Sequence, residues 1–187
     1  MSACNPLVQF NGHLLSGDAT YRSAGISVYI ANLLTQFGTG DYGVRVQVYL
    51  GRGVQIDGGG IPVMHSRIAT RRPWARILWE QTALPWALRK SGADVLHAPA
   101  FVAPLAAGCP SVVTAHDLSF LRYPEMFRAG NRLYLRTFTG PSCRRAAAVI
   151  ALSAFAAQEI TRLLGVPAER IVVVHPGVAP RFHPIDE

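Results

Sequence analysis

The stretch VVTAHDLSF sets His116 and Asp117 directly beyond the apolar run Val112 to Ala115. A neutral imidazole at such a place can donate to a substrate oxygen or to a backbone carbonyl. Side chains adjacent in sequence point in different directions, so the pair does not read as a hydrogen-bonded acid–base dyad, and Asp117 suits capping of the next turn. That both residues merely satisfy local backbone groups is the competing reading. In TYRSAGISVYI, Gly25 permits close backbone approach, and a helix starting near Ile26 and Ser27 offers unpaired N–H groups with partial positive charge. Such an end suits a phosphate or a sugar hydroxyl. The segment is not a G-x-G-x-x-G fingerprint, and a lone glycine before a helix also marks an ordinary turn. Ser153 follows VIAL, and its hydroxyl heads a further helix.

Other chemistries fit less well. His97, His116 and His175 each end an apolar run, but they lie on separate strands without the short spacing of a zinc motif, so no metal site is expected. There is no G-x-S-x-G elbow and no cysteine beside a base. Cys4, Cys109 and Cys143 are too widely spaced for a disulfide framework or a C-x-x-C pair and read as reduced structural thiols.

Short Val-, Ile- and Leu-rich runs must place these residues: Val8 to Phe10, Val44 to Leu50, Val95 to His97, Ser111 to Ala115, Ala148 to Leu152 and Ile171 to His175. Their composition predicts strands buried on both faces. Helical spacing runs from Ile26 to Phe37, with Gly38 as its stop. Trp74 to Lys90 also reads as helix, with a kink or a division expected from Pro85, and Asn131 to Ala147 reads as helix interrupted near Gly140 and Pro141. The last helix starts at Ser153 and stops at Gly165, while Gly51 to Gly60 is loop. Strands alternating with helices predict a doubly wound α/β fold, Rossmann-like, with a mainly parallel sheet. Ligands of such sheets bind beyond the carboxyl ends of the strands, where these polar residues stand.

A chain of 187 residues, half of them hydrophobic, is expected to form one domain around a substantial core. No apolar run is long enough to span a membrane, and the first residues do not read as a signal peptide, so the expectation is a cytoplasmic protein. A net charge of +7 favours anionic partners in general. Nucleic acid is not among those expected, because the arginines are scattered and no zinc-finger, RRM or KH pattern is present. Arg128, Arg132 and Arg136 would share a face of a helix that began before Arg128, and such a face suits peripheral contact with an anionic membrane, with a simply solvated face as the competing reading.

TYRSAGISVYIANLL resembles the glycine loop and first helix of family 4 glycosyltransferases, which often read G-I-G-R-Y where this chain has Gly25, Ile26, Ser27, Val28 and Tyr29. WEQTALPWALRKSGADVLHAP, VVTAHDLSFLRYPEMF and AAAVIALSAFAAQEITRLLGVPAERIVVVHPGV are similar to successive blocks of that family in the same order. The W-E-Q-x-x-L-P stretch, Trp79 through Pro85, is nearest the mannosyltransferase-like branch. The resemblance implies one half of a GT-B fold: residues 1 to 180 as the N-terminal, acceptor-side domain, residues 181 to 187 as the start of a linker, and a donor-binding domain missing. It implies a retaining transfer of a hexosyl group from a nucleotide sugar to a glycan or lipid-linked acceptor, with no cofactor, and an isolated chain that is inactive. On this basis His116 reaches the transferred sugar, Gly25 to Ser27 approach donor phosphates or sugar, and Asp117 and Ser153 line the same cleft. A non-catalytic module that binds sugar phosphates or nucleotide sugars is the alternative.

Overall fold

A computed structural model describes residues 5–15, 24–56, 59–68, 70, 72–178 and 182. Cys4, residues 20–23 of the glycine-loop segment and most of the expected linker lie outside them. Seven strands, β1 (Leu7–Asn11), β2 (Arg45–Leu50), β3 (Val63–His65), β4 (Val95–Ala98), β5 (Ser111–Ala115), β6 (Ala148–Ala151) and β7 (Ile171–Val173), form one sheet. Every pairing in it is parallel, in the order β3-β2-β1-β4-β5-β6-β7. The chain winds outward from β1 to β3, then returns to β4 on the other side of β1. β1 and β4 therefore flank the switch point, where doubly wound sheets open a crevice.

The helices are α1 (Ala24–Thr39), α2 (Pro73–Gln81), α3 (Ala83–Ser91), the single turn α4 (Ser119–Arg122), α5 (Ala129–Arg145) and α6 (Ala154–Leu164). On α1, Ile30 and Leu34 lie one turn apart and pack with Phe10, Val48 and Leu50 of β1 and β2. A larger cluster joins Leu84 and Leu88 of α3, Leu96, Val113 and Val149 of the central strands, and Ile160 and Leu164 of α6. α6 has the expected punctuation: Ser153 caps its first turn, and Gly165 takes the left-handed conformation at its end.

Several expectations need correction. α1 does not stop at Gly38 but runs to Thr39. Gly38 instead receives Gly59, where a Cβ would stand 3.0 Å from the Gly38 backbone. The division between α2 and α3 falls at Thr82, not Pro85. Pro85 sits in the first turn of α3, where a missing N–H costs nothing. α5 continues through Gly140 and Pro141. The carbonyl that Pro141 leaves unpaired belongs to Thr137, which is exposed to water. α5 also begins after Arg128, so the three arginines do not share its face, and Arg132 donates to the Pro124 carbonyl at 3.2 Å.

Burial on both faces holds for the centre of the sheet and fails at its edges. Val63, Met64 and His65 of β3 and Val172 and Val173 of β7 are exposed, because an edge strand has a neighbour on one side only. β3 is an element that the sequence pattern does not announce: three residues without alternation carry no strand signal.

Leu34, fully buried between α1 and the sheet, is the point at which this packing is tested. Leu34→Ala is expected to lower unfolding free energy by about 2–5 kcal/mol, measured by chemical denaturation, with the fold retained.

Candidate functional site

The carboxyl rim of the sheet is built around the end of β1. Gly12 follows the strand, and its N–H donates to the Tyr49 carbonyl at 2.8 Å. A Cβ there would come within 2.7 Å of Leu50 and 2.8 Å of Val48, so only glycine lets the chain leave β1 this close to β2. Asn11 then turns inward: its Oδ1 accepts the His13 backbone N–H at 3.3 Å, and its Nδ2 donates to Glu80 Oε1 at 3.1 Å. The Tyr134 hydroxyl donates to Glu80 Oε2 at 2.8 Å. One carboxylate thus joins β1, α2 and α5.

Burial pushes the Glu80 pKa up, and the Arg76 charge with the bonds from Tyr134 and Asn11 pulls it partly back. The His13 ring stacks on Trp79 at 3.9 Å, and both its ring nitrogens are buried without a partner. Burial, helped by Arg76, pushes its pKa down to about 3, which keeps the imidazole neutral.

This cluster is the part that sequence reasoning missed. Trp79, Glu80 and Gln81 serve there as marks of resemblance, without a role. In the fold Trp79 is the platform for His13, and Glu80 is the joint just described. Gln81 clamps the loop after β4, accepting from Leu105 N–H at 3.1 Å and donating to the Ala103 carbonyl at 3.4 Å. The available signal is a carboxylate on the inward stripe of an amphipathic helix, a costly placement unless it is bonded.

His116 stands at the end of β5, half-buried. Its Nε2 lies 2.8 Å from the Pro99 carbonyl, which can only accept, so Nε2 carries the proton. Burial pushes its pKa down, opposed by the Pro99 bond and the Asp117 charge. In the neutral ring Nδ1 is then an acceptor. Of the two donor roles open to His116 in the sequence, the geometry fills the one to a backbone carbonyl. Asp117 Oδ1 accepts from the Ser119 N–H at 2.8 Å and the Ser119 hydroxyl at 2.6 Å, capping the turn that follows.

α1 reaches the same rim. Tyr29 meets the His116 ring edge-on, centroids 5.0 Å apart, which places Gly25, Ile26 and Ser27 one turn farther toward the helix start. A Cβ on Gly25 would meet nothing within 4 Å, so the packing of the protein itself sets no demand for glycine there. Ser153 follows β6, whose Ala151 pairs in register with Ala115 of β5. Its Oγ accepts the Ala156 N–H at 3.1 Å.

The fold therefore brings Gly25, Ile26, Ser27, His116, Asp117 and Ser153 to one rim. It does not bring His97, which is a residue of β4, not a residue beyond it. That ring packs edge-on against Phe10 at 4.6 Å, and its Nε2 meets Thr114 Oγ1 at 3.0 Å. Among the described residues no group of three or more His, Cys, Asp or Glu is placed to hold a metal ion. Cys109 and Cys143 are free thiols, and burial pushes Cys143 up to about 12.

The sequence profile of Glycosyltransferase Family 4 matches residues 23–182. The chain belongs to glycosyltransferase family 4. A solved structure of the lipopolysaccharide outer core galactosyltransferase WaaB, in its apo form, is similar to this family 4 chain with a TM-score of 0.54 and 14% identity. That match covers 92% of this chain and 46% of WaaB, and it shows the shared fold. A glycosyltransferase from Rickettsia africae ESF-5 aligns with a TM-score of 0.49 and 15% identity, over 93% of this chain and 44% of that one. The family 4 chain thus spans somewhat less than half the length of the solved structures it matches. No protein of curated function matches it in sequence.

The neutral histidines set a pH signature. His13 and His97 are held down to about 3 and about 4 by burial, against about 6.5 in an unfolded chain. A depressed histidine pKa contributes stability that is present above about 6.5 and is lost as pH falls toward the folded values. Glu80, raised by burial, acts in the opposite sense above the ordinary carboxylate range. The denaturant midpoint of His13→Phe is therefore expected to fall less steeply than that of the wild type between pH 7 and 4, on paired urea titrations.

Proposed function

We propose that this chain is the acceptor-side half of a retaining GT-B glycosyltransferase, which moves a hexosyl group, mannose-like, from a nucleotide sugar to a glycan or lipid-linked acceptor. The observation that carries the reading is a neutral His116, tied through Nε2 to Pro99, on the same rim as the first turn of α1 within a family 4 match. Residues 1–180 act as this domain and residues 181–187 open a linker to a donor-binding half.

In this reading His116 Nδ1 accepts a hydrogen bond from a hydroxyl of the transferred sugar and fixes its orientation. The start of α1 at Gly25, Ile26 and Ser27 offers a partial positive charge toward the departing diphosphate. Asp117 Oδ1 and Ser153 Oγ each accept from the turn that follows, so both residues shape the cleft floor, and the Ser153 hydroxyl proton stays available to a ligand oxygen. Acceptor and leaving group occupy the same face of the sugar, as retention requires, and no step needs a nucleophilic carboxylate from this half.

A turnover assay of the purified chain across sugar nucleotides and glycan acceptors is expected to show no transfer above background, and transfer by this chain alone would defeat the half-enzyme reading. In the protein that joins it to a donor-binding half, His116→Ala is expected to lower kcat/KM by roughly 10²-fold, about 2.7 kcal/mol, the scale of one oriented polar group.

A lipid-linked acceptor would bring the chain to a membrane surface, where the exposed Arg128 and Arg136 are the groups left for anionic headgroups. Sedimentation with vesicles containing phosphatidylglycerol is expected to weaken in Arg128→Glu/Arg136→Glu, and unchanged sedimentation would favour an acceptor that is not lipid-borne.

A further inference from the structure

The loop after β4 holds Phe101, at φ 61°, the non-glycine residue among those described whose backbone enters the left-handed region. The Val102 N–H donates to the Ala100 carbonyl at 2.7 Å, closing a three-residue γ-turn around it. This is the strained form of that turn for any residue with a Cβ. Glycine would follow the same path without the steric cost. The side chain is nevertheless a buried phenylalanine.

The surroundings show what the turn holds in place. The Phe101 N–H donates to the Thr114 carbonyl at 2.9 Å, anchoring the turn to β5 two residues before His116. Two residues earlier, the Pro99 carbonyl accepts the His116 Nε2–H at 2.8 Å. The Phe101 ring lies 5.5 Å from the His116 ring and 6.0 Å from that of Phe120, while Tyr29 meets the imidazole edge-on. Strain persists only where neighbours over-determine a conformation, and here those neighbours include the candidate site.

We propose that Phe101 is a positioning residue for His116: its turn aims the Pro99 carbonyl at Nε2, and its ring, with Tyr29, holds the imidazole plane so that Nδ1 is the nitrogen offered to a ligand hydroxyl. The identity of that ligand as a sugar rests on the glycosyl-transfer reading; the positioning itself does not.

NMR of the chain with nitrogen-15 histidine tests it without any ligand. The wild type is expected to show a persistent His116 Nε2–H proton signal at neutral pH, because a bonded and half-buried proton exchanges slowly, together with Overhauser contacts from His116 to Tyr29 and Phe101. Phe101→Gly keeps the left-handed turn accessible and removes the ring, so the fold is expected to survive while the Nε2–H signal and the Tyr29 contact are lost. Phe101→Leu keeps bulk and strain without the aromatic edge and should retain the Nε2–H signal with a weakened Tyr29 contact, and it serves if the glycine variant does not fold.

A wild type lacking both signals, or variants whose His116 signals match the wild type, would overturn the proposal, since a purely structural Phe101 alters stability and leaves those signals in place. Methyl α-mannoside added to the wild type reads the other question. A shift at His116 Nδ1 supports the sugar reading, and no shift with the positioning signals intact counts against that reading alone.

Discussion

β1 is hydrogen-bonded on both sides, and that double pairing is the constraint from which the rim follows. Phe10 stands in register with Val48 of β2 on one side and with His97 of β4 on the other. A buried strand with every backbone group paired cannot slip by one residue without turning its apolar set to the wrong face. Because the chain passes from β1 toward β2 and from β4 toward β5, the loops that follow β1 and β4 diverge, with His13 on the first and Pro99 and Phe101 on the second. α1 connects β1 to the parallel β2, so its first turn lies toward the carboxyl end of the sheet.

The electrostatics of that end are those of groups kept neutral or fully engaged. His13 and His116 have their pKa values pushed down by burial. Uncharged imidazoles suit recognition of hydroxyls, for which one nitrogen donates and the other accepts. Glu80 spends its oxygens on Asn11 and Tyr134 instead of on a ligand. Its loss would leave those partners unsatisfied and loosen three elements together, so the acid reads as a joint of the scaffold. The arginines are similarly committed in part: Arg144 donates to the Leu164 carbonyl, and Arg170 to the carbonyls of Arg144 and Ala146. These bonds hold two guanidinium groups in place without removing their charge, so the net charge of +7 is unaltered by them.

A scaffold of this kind puts precision on the β4 and β5 loops. Gln81 clamps the carbonyl and the N–H on either side of Pro104, and Ser142 both accepts from the Ala103 N–H and donates to its carbonyl. With the loop anchored at those points, the strained Phe101 has little room to relax, and the Pro99 carbonyl is held toward His116. Positions of this kind, rigidly supported beyond strand ends, are where a fold grafts recognition onto an otherwise generic sheet.

The sequence by itself determined what depends on neighbours along the chain. Ser111 to Ala115 forms a strand with the predicted bounds, and Ser153 and Gly165 bracket α6, because caps, periodicity and breakers act over a few residues. The parallel doubly wound sheet followed from alternation alone, and with it the rim carrying Gly25, His116 and Ser153. Tertiary structure decided what depends on partners distant in sequence. His97 and His116 look alike as histidines ending Val- and Leu-rich runs, yet one packs on Phe10 and the other bonds Pro99, because a strand's last residue and the residue beyond it face different surroundings. Only the assembled sheet could turn Trp79, Glu80 and Gln81 into a platform, a joint and a clamp, make a strand of Val63 to His65, and set Phe101 in a conformation that its side chain disfavours. Each of those outcomes rests on a contact that local propensity does not encode.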